Sequence, residues 1–323
     1  MRSLYTIPSI LPSLLILILT LSPTSATPHQ KPLGPSSPPP SSPATIPHTF
    51  RYATLDDIDD ITTVWYDAFR PAPLWDYVRQ FANDVDPLYT WTCQRDSFLR
   101  MLQDETRGLN ATVITVQVPD DGSSSSSSLE TATATRERVV SVAIWDFNET
   151  RPRRSQDSPY PLSPVLPFLT PVGAHDSVSS SSSSSSAPAA SPFNCSARLD
   201  TNLTRALPLS RLSEEAQETY LRSALGPQLY LMLLATHPGW DGNGFGAEQL
   251  RWGKAQLGRL GGGGGGGGGL PLTLMASPAG YPLYASKGFE GLKNVTVERL
   301  DGKGVFWLEM MKFVPGGGGA DEL

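Results

Sequence analysis

Three runs of a single residue type limit how much of this 323-residue chain can fold. Six serines occupy positions 123–128, eight occupy positions 179–186, and nine glycines occupy positions 261–269. Such runs have too little apolar surface to enter a hydrophobic core. Without them and a Pro/Ser-rich amino-terminal stretch, about 200 residues remain, enough for one well-buried domain. We therefore expect a single domain with long insertions.

Composition divides the chain into four parts. We interpret residues 1–26 as a signal peptide, residues 27–47 as a disordered Pro/Ser-rich spacer, residues 48–315 as the folded domain and residues 316–323 as a flexible tail. Low-complexity insertions interrupt the domain near residues 119–135, 152–192 and 261–269. The sequence contains no signal for oligomeric state.

The amino terminus has the three zones of a secretory signal. Arg2 supplies the positive charge, residues 14–21 (LLILILTL) form the apolar centre, and Ala26 ends a group of small residues suited to cleavage. A membrane anchor is the second interpretation, but a span needs about 20 apolar residues and Pro12 interrupts the run. An artefactual leader is the third. After cleavage of the signal we expect no stable membrane insertion.

Other features also indicate the secretory pathway. The two cysteines, Cys93 and Cys195, can form a disulfide in an oxidising compartment, although two separate thiols are an equal alternative. Residues 320–323 (ADEL) resemble a KDEL-type retention signal. We expect the lumen of the endoplasmic reticulum first and secretion second. Five asparagines lie in N-x-S/T glycosylation sequons: Asn110, Asn148, Asn194, Asn202 and Asn294.

Charge and motif content exclude several functions. The net charge is −6 and the longest basic block is residues 151–154 (RPRR), so we expect no nucleic-acid partner. The four histidines are scattered, and the sequence contains neither CxxC nor HExxH, so we expect no metal site. A GxSxG nucleophile elbow and a GxxxxGK[ST] phosphate loop are also missing from the sequence.

Hydrophobic periodicity predicts an α/β (α+β) domain and not a doubly wound repeat. A strand at residues 48–54 leads into a helix that begins with Thr54 as N-cap, with Asp57 three residues on. This helix is predicted to end at residue 69, and the other helices are predicted at residues 74–81, 92–105, 212–224, 242–257 and 282–287. The other strands are predicted at residues 111–118, 139–147, 228–236, 270–276, 295–300 and 305–313.

The most informative stretch is residues 229–250, LYLMLLATHPGWDGNGFGAEQL. An apolar strand ends at Thr236, and glycines 242, 244 and 246 then open an amphipathic helix. Glycines let an anion approach the backbone, and the free N–H groups of a helix amino terminus attract it. A simple Gly-rich turn is one alternative. A dinucleotide fingerprint is another, but its acidic residue about 20 positions on would fall in the glycine run.

This stretch resembles motif A, [QR]-x-x-G-x-[GA], of the GNAT N-acetyltransferase superfamily, here in residues 241–246 (DGNGFG). Residues 274–290 (LMASPAGYPLYASKGFE) are similar to the family's next strand and its "S-x-x-G…lY…GFe" pattern, in the same order. The resemblance covers residues 48–315 and implies a mixed, mostly antiparallel sheet with splayed central strands flanked by helices. It also implies transfer of an acetyl group from acetyl-CoA to a primary amine of a small molecule or peptide by direct attack.

The resemblance also assigns residues to roles. The acetyl-CoA pyrophosphate is expected on Gly242, Asn243, Gly244, Phe245, Gly246 and Ala247, and the pantetheine along Leu234, Ala235 and Thr236. A backbone N–H near Leu234 would polarise the thioester carbonyl. Tyr284 would protonate the departing thiolate, although packing against Phe289 is the alternative role. Candidates for the base are His237, Asp146 and Glu149, and His237 is also interpreted as a turn residue before Pro238.

Motif A departs from the family at two positions, Asp241 and Asn243. An aspartate is electrostatically unfavourable beside a pyrophosphate, and only Arg251, Lys254 and Arg259, further along the helix, could compensate. The alternative function is therefore a catalytically degenerate GNAT fold that acts as a binding or scaffold protein of the secretory pathway. The resemblance implies that the early helices help to form the acceptor pocket. Their aromatic residues, interpreted as pocket or core, are Trp65, Tyr66, Trp75 and Tyr77.

Overall fold

One seven-stranded sheet organises the described part of the chain. The computed structural model describes residues 46–104, 106, 108–119, 135–150, 192–260, 269–298, 302 and 304–316. The predicted signal peptide lies outside these residues, as do most of the predicted spacer, the three insertions and the tail. The strands are β1 (His48–Tyr52), β2 (Leu109–Pro119), β3 (Thr135–Asp146), β4 (Leu229–Thr236), β5 (Leu272–Ala276), β6 (Glu290–Glu298) and β7 (Val305–Phe313).

The strand order confirms the predicted fold class. The sheet runs β1-β2-β3-β4-β5-β7-β6, and every neighbouring pair is antiparallel except β4 and β5. The helices lie on both faces of this sheet. They are α1 (Ile58–Phe69), α2 (Pro73–Val78), α3 (Tyr89–Gln103), α4 (Leu203–Gln217), α5 (Ser223–Leu225), α6 (Phe245–Leu260) and α7 (Tyr281–Ser286). None of these described helices is both long and apolar enough to cross a membrane.

Each face of the sheet has its own core. On one face α1 packs against β3 and β4 around the fully buried Trp65. On the other face α6 packs against β3, β4 and β5 around the fully buried Trp145. Gly253 allows α6 to approach the sheet this closely, because a Cβ at that position would lie 2.3 Å from the Trp145 ring.

The two central strands separate along their length. β4 pairs with β5 only from Leu229 to Leu231. Its pairing with β3 on the other side continues to Thr236, past a bulge at Trp145. The carboxyl-terminal half of β4 therefore has a neighbour on one side only, and this confirms the predicted splay.

Local signals explain where α1 begins. The Asp57 carboxylate accepts hydrogen bonds from the Thr54 backbone N–H at 2.7 Å and from the Thr54 hydroxyl at 3.0 Å. The capping box predicted from these two residues is therefore present, with one 3-10 turn before α1. Arg51 pairs with the same carboxylate at 2.7 Å, and its guanidinium contributes to holding the pKa of Asp57 below the usual value despite burial.

The prediction for α4 was wrong at its start. The periodicity placed the helix at residues 212–224, but α4 begins at Leu203 and contains Pro208. Asn202 caps this helix because its side-chain oxygen accepts a hydrogen bond from the Thr204 N–H at 3.1 Å. A proline within a helix removes one backbone hydrogen bond and its ring clashes with the carbonyl four residues before, at a cost of about 3 kcal/mol. The buried Ala206 and Leu209 of α4 offset this local cost. After Gln217 the chain continues as a π-helical segment, Glu218–Arg222.

A disulfide ties the chain back to α3 after the second insertion. Cys93 and Cys195 are bonded, with their Cα atoms 5.2 Å apart, so the structure has one of the two states that the sequence left open. Close by, the buried Asp200 pairs with Arg79 and accepts a hydrogen bond from Thr90 at 2.7 Å. Residues 192–202 are thereby fixed to both α2 and α3.

Candidate active site

The splay between β4 and β5 opens into a cavity of about 490 Å³. This volume lies within the range of about 300–1,000 Å³ that is typical of small-molecule sites. We call one side the β4 wall, which consists of Leu234, Ala235, Thr236, Asp241, Gly246, Ser277, Pro278, Ala279, Gly280, Leu283 and Tyr284. We call the other side the α2 wall, which consists of Ala68, Phe69, Pro71, Ala72, Pro73, Leu74, Trp75, Phe306 and Leu308.

The backbone of β4 presents polar groups to this cavity. The His237 N–H donates to the Val140 carbonyl at 2.9 Å, so this N–H points toward β3. Because N–H and C=O groups alternate in direction along an antiparallel strand, those of Leu234 and Thr236 point away from β3. They therefore face the gap where β5 has diverged. An extended ligand lying in the gap could pair with them as a strand does.

The turn between β4 and α6 has a backbone that requires glycine at two positions. Gly242 and Gly244 have φ values of +80° and +81°, and no heavy atom lies within 4 Å of a Cβ built at either residue. A ligand can therefore approach the backbone there. Asn243 braces the turn, because its side-chain amide donates to the Trp240 carbonyl at 2.9 Å. The departure from the family pattern at this position thus has a structural role.

The start of α6 has the features of an anion-binding helix terminus. The N–H groups of the first helical turn, including those of Phe245, Gly246 and Ala247, have no partner within the helix. A Cβ at Gly246 would lie 3.0 Å from the Leu283 side chain, so α6 and α7 approach each other closely at this glycine. The space, the free donors and the helix dipole all suit an anionic group.

Two carboxylates lie near this helix start. Asp241 lines the cavity and is exposed to solvent. Glu248, one turn into α6, is 2.7 Å from Nε2 of His48 on β1. A hydrogen bond from His48 to the Ile46 carbonyl raises the pKa of His48, and Glu248 raises it further, while burial opposes both effects. A protonated His48 balances the charge of Glu248.

The lysine that could have compensated for Asp241 is engaged elsewhere. Lys254 donates to the Lys287 carbonyl at 2.5 Å and lies 3.8 Å from the centre of the Phe313 ring. It therefore stabilises the end of α7 and not the glycine turn. Arg251 and Arg259 are exposed on α6. The glycine turn depends on backbone donors for its positive field.

Tyr284 has a geometry that suits both roles that the sequence left open, packing against Phe289 and proton donation in the cavity. Its ring packs edge-on against Phe289, with centroids 5.8 Å apart, and leans over Gly280, where a Cβ would lie 2.9 Å from the ring. Tyr284 also lines the cavity. Burial raises the pKa of its phenol above the usual value, so the hydroxyl keeps its proton throughout the physiological range.

Solved structures described as acetyltransferases match most of the chain. A Corynebacterium glutamicum "histone acetyltransferase HPA2 and related acetyltransferase" is 19% identical over 82% of this chain and 94% of its own, with a TM-score of 0.39. A mosquito "arylalkylamine N-acetyltransferase like 5b" is 13% identical over 83% and 100%, with a TM-score of 0.41. Salmonella typhimurium yncA, a putative acetyltransferase solved with acetyl-CoA, is 13% identical over 85% and 98%, with a TM-score of 0.39. No protein-family model and no curated protein matches the chain.

The fold type follows from the sheet itself. Its mostly antiparallel order and the splay between its central strands are those that the GNAT resemblance implies. The fold is of the GNAT type.

Two of the three candidate bases, Asp146 and Glu149, are not among the described residues that line the cavity. Asp146 pairs with Tyr230, four residues before Leu234, which corresponds to about 13 Å along the strand. Burial, together with the charge of Glu149, raises the pKa of Asp146 to about 6. Glu149 is itself buried and accepts a hydrogen bond from Arg222 at 2.9 Å. Sequence reasoning placed them near the site because it could not determine at which end of β4 they would lie.

His237 lies at the edge of the cavity but is held as a turn residue. Its Nδ1 accepts a hydrogen bond from the Gly239 N–H at 3.1 Å. Its Nε2 is 3.2 Å from the Asp67 carboxylate on α1. Both ring nitrogens are therefore in use, and the predicted turn role has geometric support. Asp67 is a residue that sequence reasoning missed, because nothing in α1 marks it as a partner of the turn after β4.

The α2 wall contains most of what the sequence did not predict. Of the four early aromatic residues, Trp75 lines the cavity, whereas Trp65 is core, Tyr66 packs edge-on against Trp75 and Tyr77 packs against Phe306. Pro71 and Pro73 in the α1–α2 connection are the one signal that could have marked this wall, since paired prolines stiffen a short turn.

The five predicted glycosylation asparagines all belong to the described chain. Asn110, Asn148, Asn194 and Asn294 are exposed. Asn202 is half-buried, and its side-chain amide donates to Gln80 at 2.6 Å while its oxygen caps α4. The first four positions are therefore sterically open to modification, and at Asn202 a glycan would have to share the amide with Gln80.

Proposed function

We propose that this protein is an N-acetyltransferase that moves the acetyl group of acetyl-CoA to a primary amine by direct attack. The observation that supports this function best is the cavity at the splay of β4 and β5. It joins a backbone-lined wall suited to a thioester with an apolar wall from the opposite face of the sheet. Two substrates can therefore meet there without a covalent enzyme intermediate.

The donor would be held by the β4 wall. The turn at Gly242 and Gly244 leaves space for the diphosphate, and the first N–H groups of α6 point toward it. The backbone groups of Leu234 and Thr236 would pair with the pantetheine arm. The Leu234 N–H would then polarise the thioester carbonyl as the amine attacks.

Tyr284 would complete the reaction as the acid. Attack of the amine on the carbonyl carbon forms the new C–N bond, and the C–S bond breaks as the thiolate leaves. The phenol would give its proton to this thiolate, and the proton that the attacking nitrogen loses would pass through water to restore the phenol. Its raised pKa ensures that the proton is present at neutral pH. Asp241 would lie near the diphosphate and weaken donor binding, so affinity is expected to be modest.

The proposal includes the secretory pathway, with the lumen of the endoplasmic reticulum as first choice and secretion as second. The disulfide between Cys93 and Cys195 and the four exposed sequon asparagines support it. Acetyl-CoA would have to enter the lumen through a transporter.

The test is a transfer assay on the full chain expressed in eukaryotic cells. The protein is incubated with acetyl-CoA and a panel of primary amines, and N-acetylated product is detected by mass spectrometry beside free CoA thiol. The proposal expects an amide product in proportion to thiol release. Binding of acetyl-CoA with neither product nor thiol would instead favour the degenerate, scaffold-type function.

A further inference from the structure

The α2 wall has a chemical character different from that of the β4 wall. Trp75, Phe306 and Leu308 are buried side chains that form its floor, and Pro71 and Pro73 form its rim. Among the described residues that line the cavity, the ionisable ones are Asp241 and Tyr284, and both belong to the β4 wall. A ligand body on the α2 wall therefore meets mainly apolar side chains and no ionisable group among the described lining residues.

This difference between the walls gives a bound amine one favourable orientation. The hydroxyls of Thr236 and Ser277 and the backbone of β4 can accept or donate hydrogen bonds, so the reacting nitrogen belongs at the β4 wall. The rest of the acceptor then extends over Trp75 and Phe306. A second ammonium group or a hydrated polar chain would lose its water there without a partner, and burial of an unpaired charge is strongly unfavourable.

We infer that the acceptor is a small primary amine with an apolar body, aromatic or branched aliphatic, and that Trp75 and Phe306 determine this specificity. The inference rests on the proposed function and narrows its acceptor to one chemical class. It excludes polyamines, whose second charge would be buried. It also excludes peptides, whose backbone N–H and C=O groups would lack hydrogen-bond partners on the α2 wall.

The position of Trp75 is fixed before any ligand arrives. Its ring is 5.5 Å from Trp65 and 5.3 Å from Tyr66, measured between centroids. The Arg79 guanidinium lies 5.7 Å from the ring centre, and the buried Asp200 pairs with that guanidinium. A preformed apolar surface of this kind binds a rigid ring without the entropic cost of ordering its own side chains.

The size of the cavity sets an upper limit for the acceptor. About 490 Å³ has to hold the end of the pantetheine arm as well as the acceptor. An aryl or branched alkyl group of roughly six to ten heavy atoms fits the remaining space on the scale of known ligand pockets.

The decisive test compares n-pentylamine with cadaverine, which has the same carbon chain and a second amine. We expect kcat/KM to be at least about 100-fold higher for n-pentylamine at pH 7, because cadaverine would bury an unpaired ammonium. 2-Phenylethylamine should be better still, and a short peptide with a free amino terminus should be a poor acceptor. Equal or faster turnover of cadaverine or of the peptide would overturn the inference.

A second test adds a negative charge to the α2 wall without removing any core side chain. Ala72 lines the cavity and is the N-cap of α2, a position that favours aspartate, so Ala72→Asp should fold. We expect it to raise the kcat/KM of cadaverine relative to n-pentylamine by about tenfold, with Ala72→Asn as the uncharged control. Trp75→Leu should raise the KM for 2-phenylethylamine and leave acetyl-CoA affinity unchanged. If Ala72→Asp leaves the ratio of the two amines unchanged, the α2 wall does not contact the acceptor.

Failure of this inference and failure of the proposed function give different results. If acetyl-CoA binds and polar amines are acetylated, the apolar acceptor class is wrong and the N-acetyltransferase function stands. If acetyl-CoA does not bind, the proposed function is wrong. Binding of 2-phenylethylamine alone, followed by the fluorescence of the tryptophans, then decides whether the α2 wall still recognises apolar amines. No change in fluorescence would overturn that recognition.

Discussion

The two walls of the cavity are built by different means. The β4 wall includes the unpaired edge of β4 after Leu231 and Gly246, and the glycine turn at Gly242 and Gly244 adjoins it. The α2 wall is made of apolar side chains from α1, α2 and β7, which lie far apart in the sequence. Under the proposed function, main-chain geometry beside the β4 wall would define the site of the acetyl donor. The apolar side chains of the α2 wall would select the acceptor amine.

The largest expected effect tests how the α2 wall is anchored. Replacing both Cys93 and Cys195 with serine should lower the free energy of unfolding by about 4–5 kcal/mol, as expected for a closed loop of roughly 100 residues in the chain-entropy model. Chemical denaturation of the full chain measures this. Because residues 192–202 also hold Asp200 behind Arg79, the KM for an apolar amine should rise before acetyl-CoA affinity falls. If the affinities for the apolar amine and for acetyl-CoA fall equally, the disulfide does not anchor the α2 wall independently of the β4 wall.

The next effect tests the chemistry of the β4 wall. Tyr284→Phe should lower kcat by about 100- to 1,000-fold, because the thiolate loses its proton donor, while the Kd for acetyl-CoA stays the same. Steady-state kinetics and calorimetry measure the two quantities. Tyr281→Phe is the matched control in the same helix, since Tyr281 packs against Trp307 and is not among the cavity-lining residues. An unchanged kcat in Tyr284→Phe would leave this tyrosine with a packing role alone.

A smaller effect tests whether backbone conformation forms the donor site. Gly244→Ala should weaken acetyl-CoA binding by about tenfold, because a left-handed conformation costs an L-residue roughly 1–2 kcal/mol. Gly258 offers a control in α6, where a Cβ meets nothing within 4 Å and φ is ordinary. Gly258→Ala should bind acetyl-CoA as the wild type does and gain up to about 1 kcal/mol in stability. If both variants bind equally well, the turn does not contact the donor.

The smallest effect concerns the charge beside the β4 wall. The folded pKa of His48 is raised above 6.5, so the stabilisation from its protonated form is complete below that pH and is lost as pH rises through the folded pKa. Above the folded pKa, His48 is neutral and no longer balances the negative charge of Glu248 in the first turns of α6. We expect acetyl-CoA affinity to fall about two- to threefold more in the wild type than in His48→Gln between pH 6 and pH 8. If acetyl-CoA affinity changes with pH to the same extent in the wild type and in His48→Gln, the charge of His48 has no role in donor binding.

The difference between the β4 wall and the α2 wall also explains which part of the site could be predicted from the sequence. Glycines and the strand-turn-helix pattern around Thr236 mark the β4 wall directly, because few residue types fit a positive φ. Trp75, Phe306 and Leu308 cannot be distinguished in sequence from core residues, because burial in a cavity wall and burial in a core need the same side chains.

The second limit of the sequence-based prediction was the position of a residue along the paired strands. Asp146 is the last residue of β3, and antiparallel pairing puts it opposite Tyr230, near the start of β4. The predicted helix at residues 212–224 missed the start of α4, which the cap at Asn202 and tertiary packing determine. The first error concerns long-range strand pairing, whereas the second concerns a local cap and the packing of the helix.

The most direct test of the central claim is calorimetric titration of acetyl-CoA into the full glycosylated chain. The central claim is that the splay of β4 and β5, with the glycine turn, is an acetyl-CoA site despite Asp241. We predict one binding site with micromolar affinity that survives Tyr284→Phe and weakens in Gly244→Ala. The absence of binding at millimolar acetyl-CoA would contradict the claim and would mean that the fold has kept its geometry without its donor.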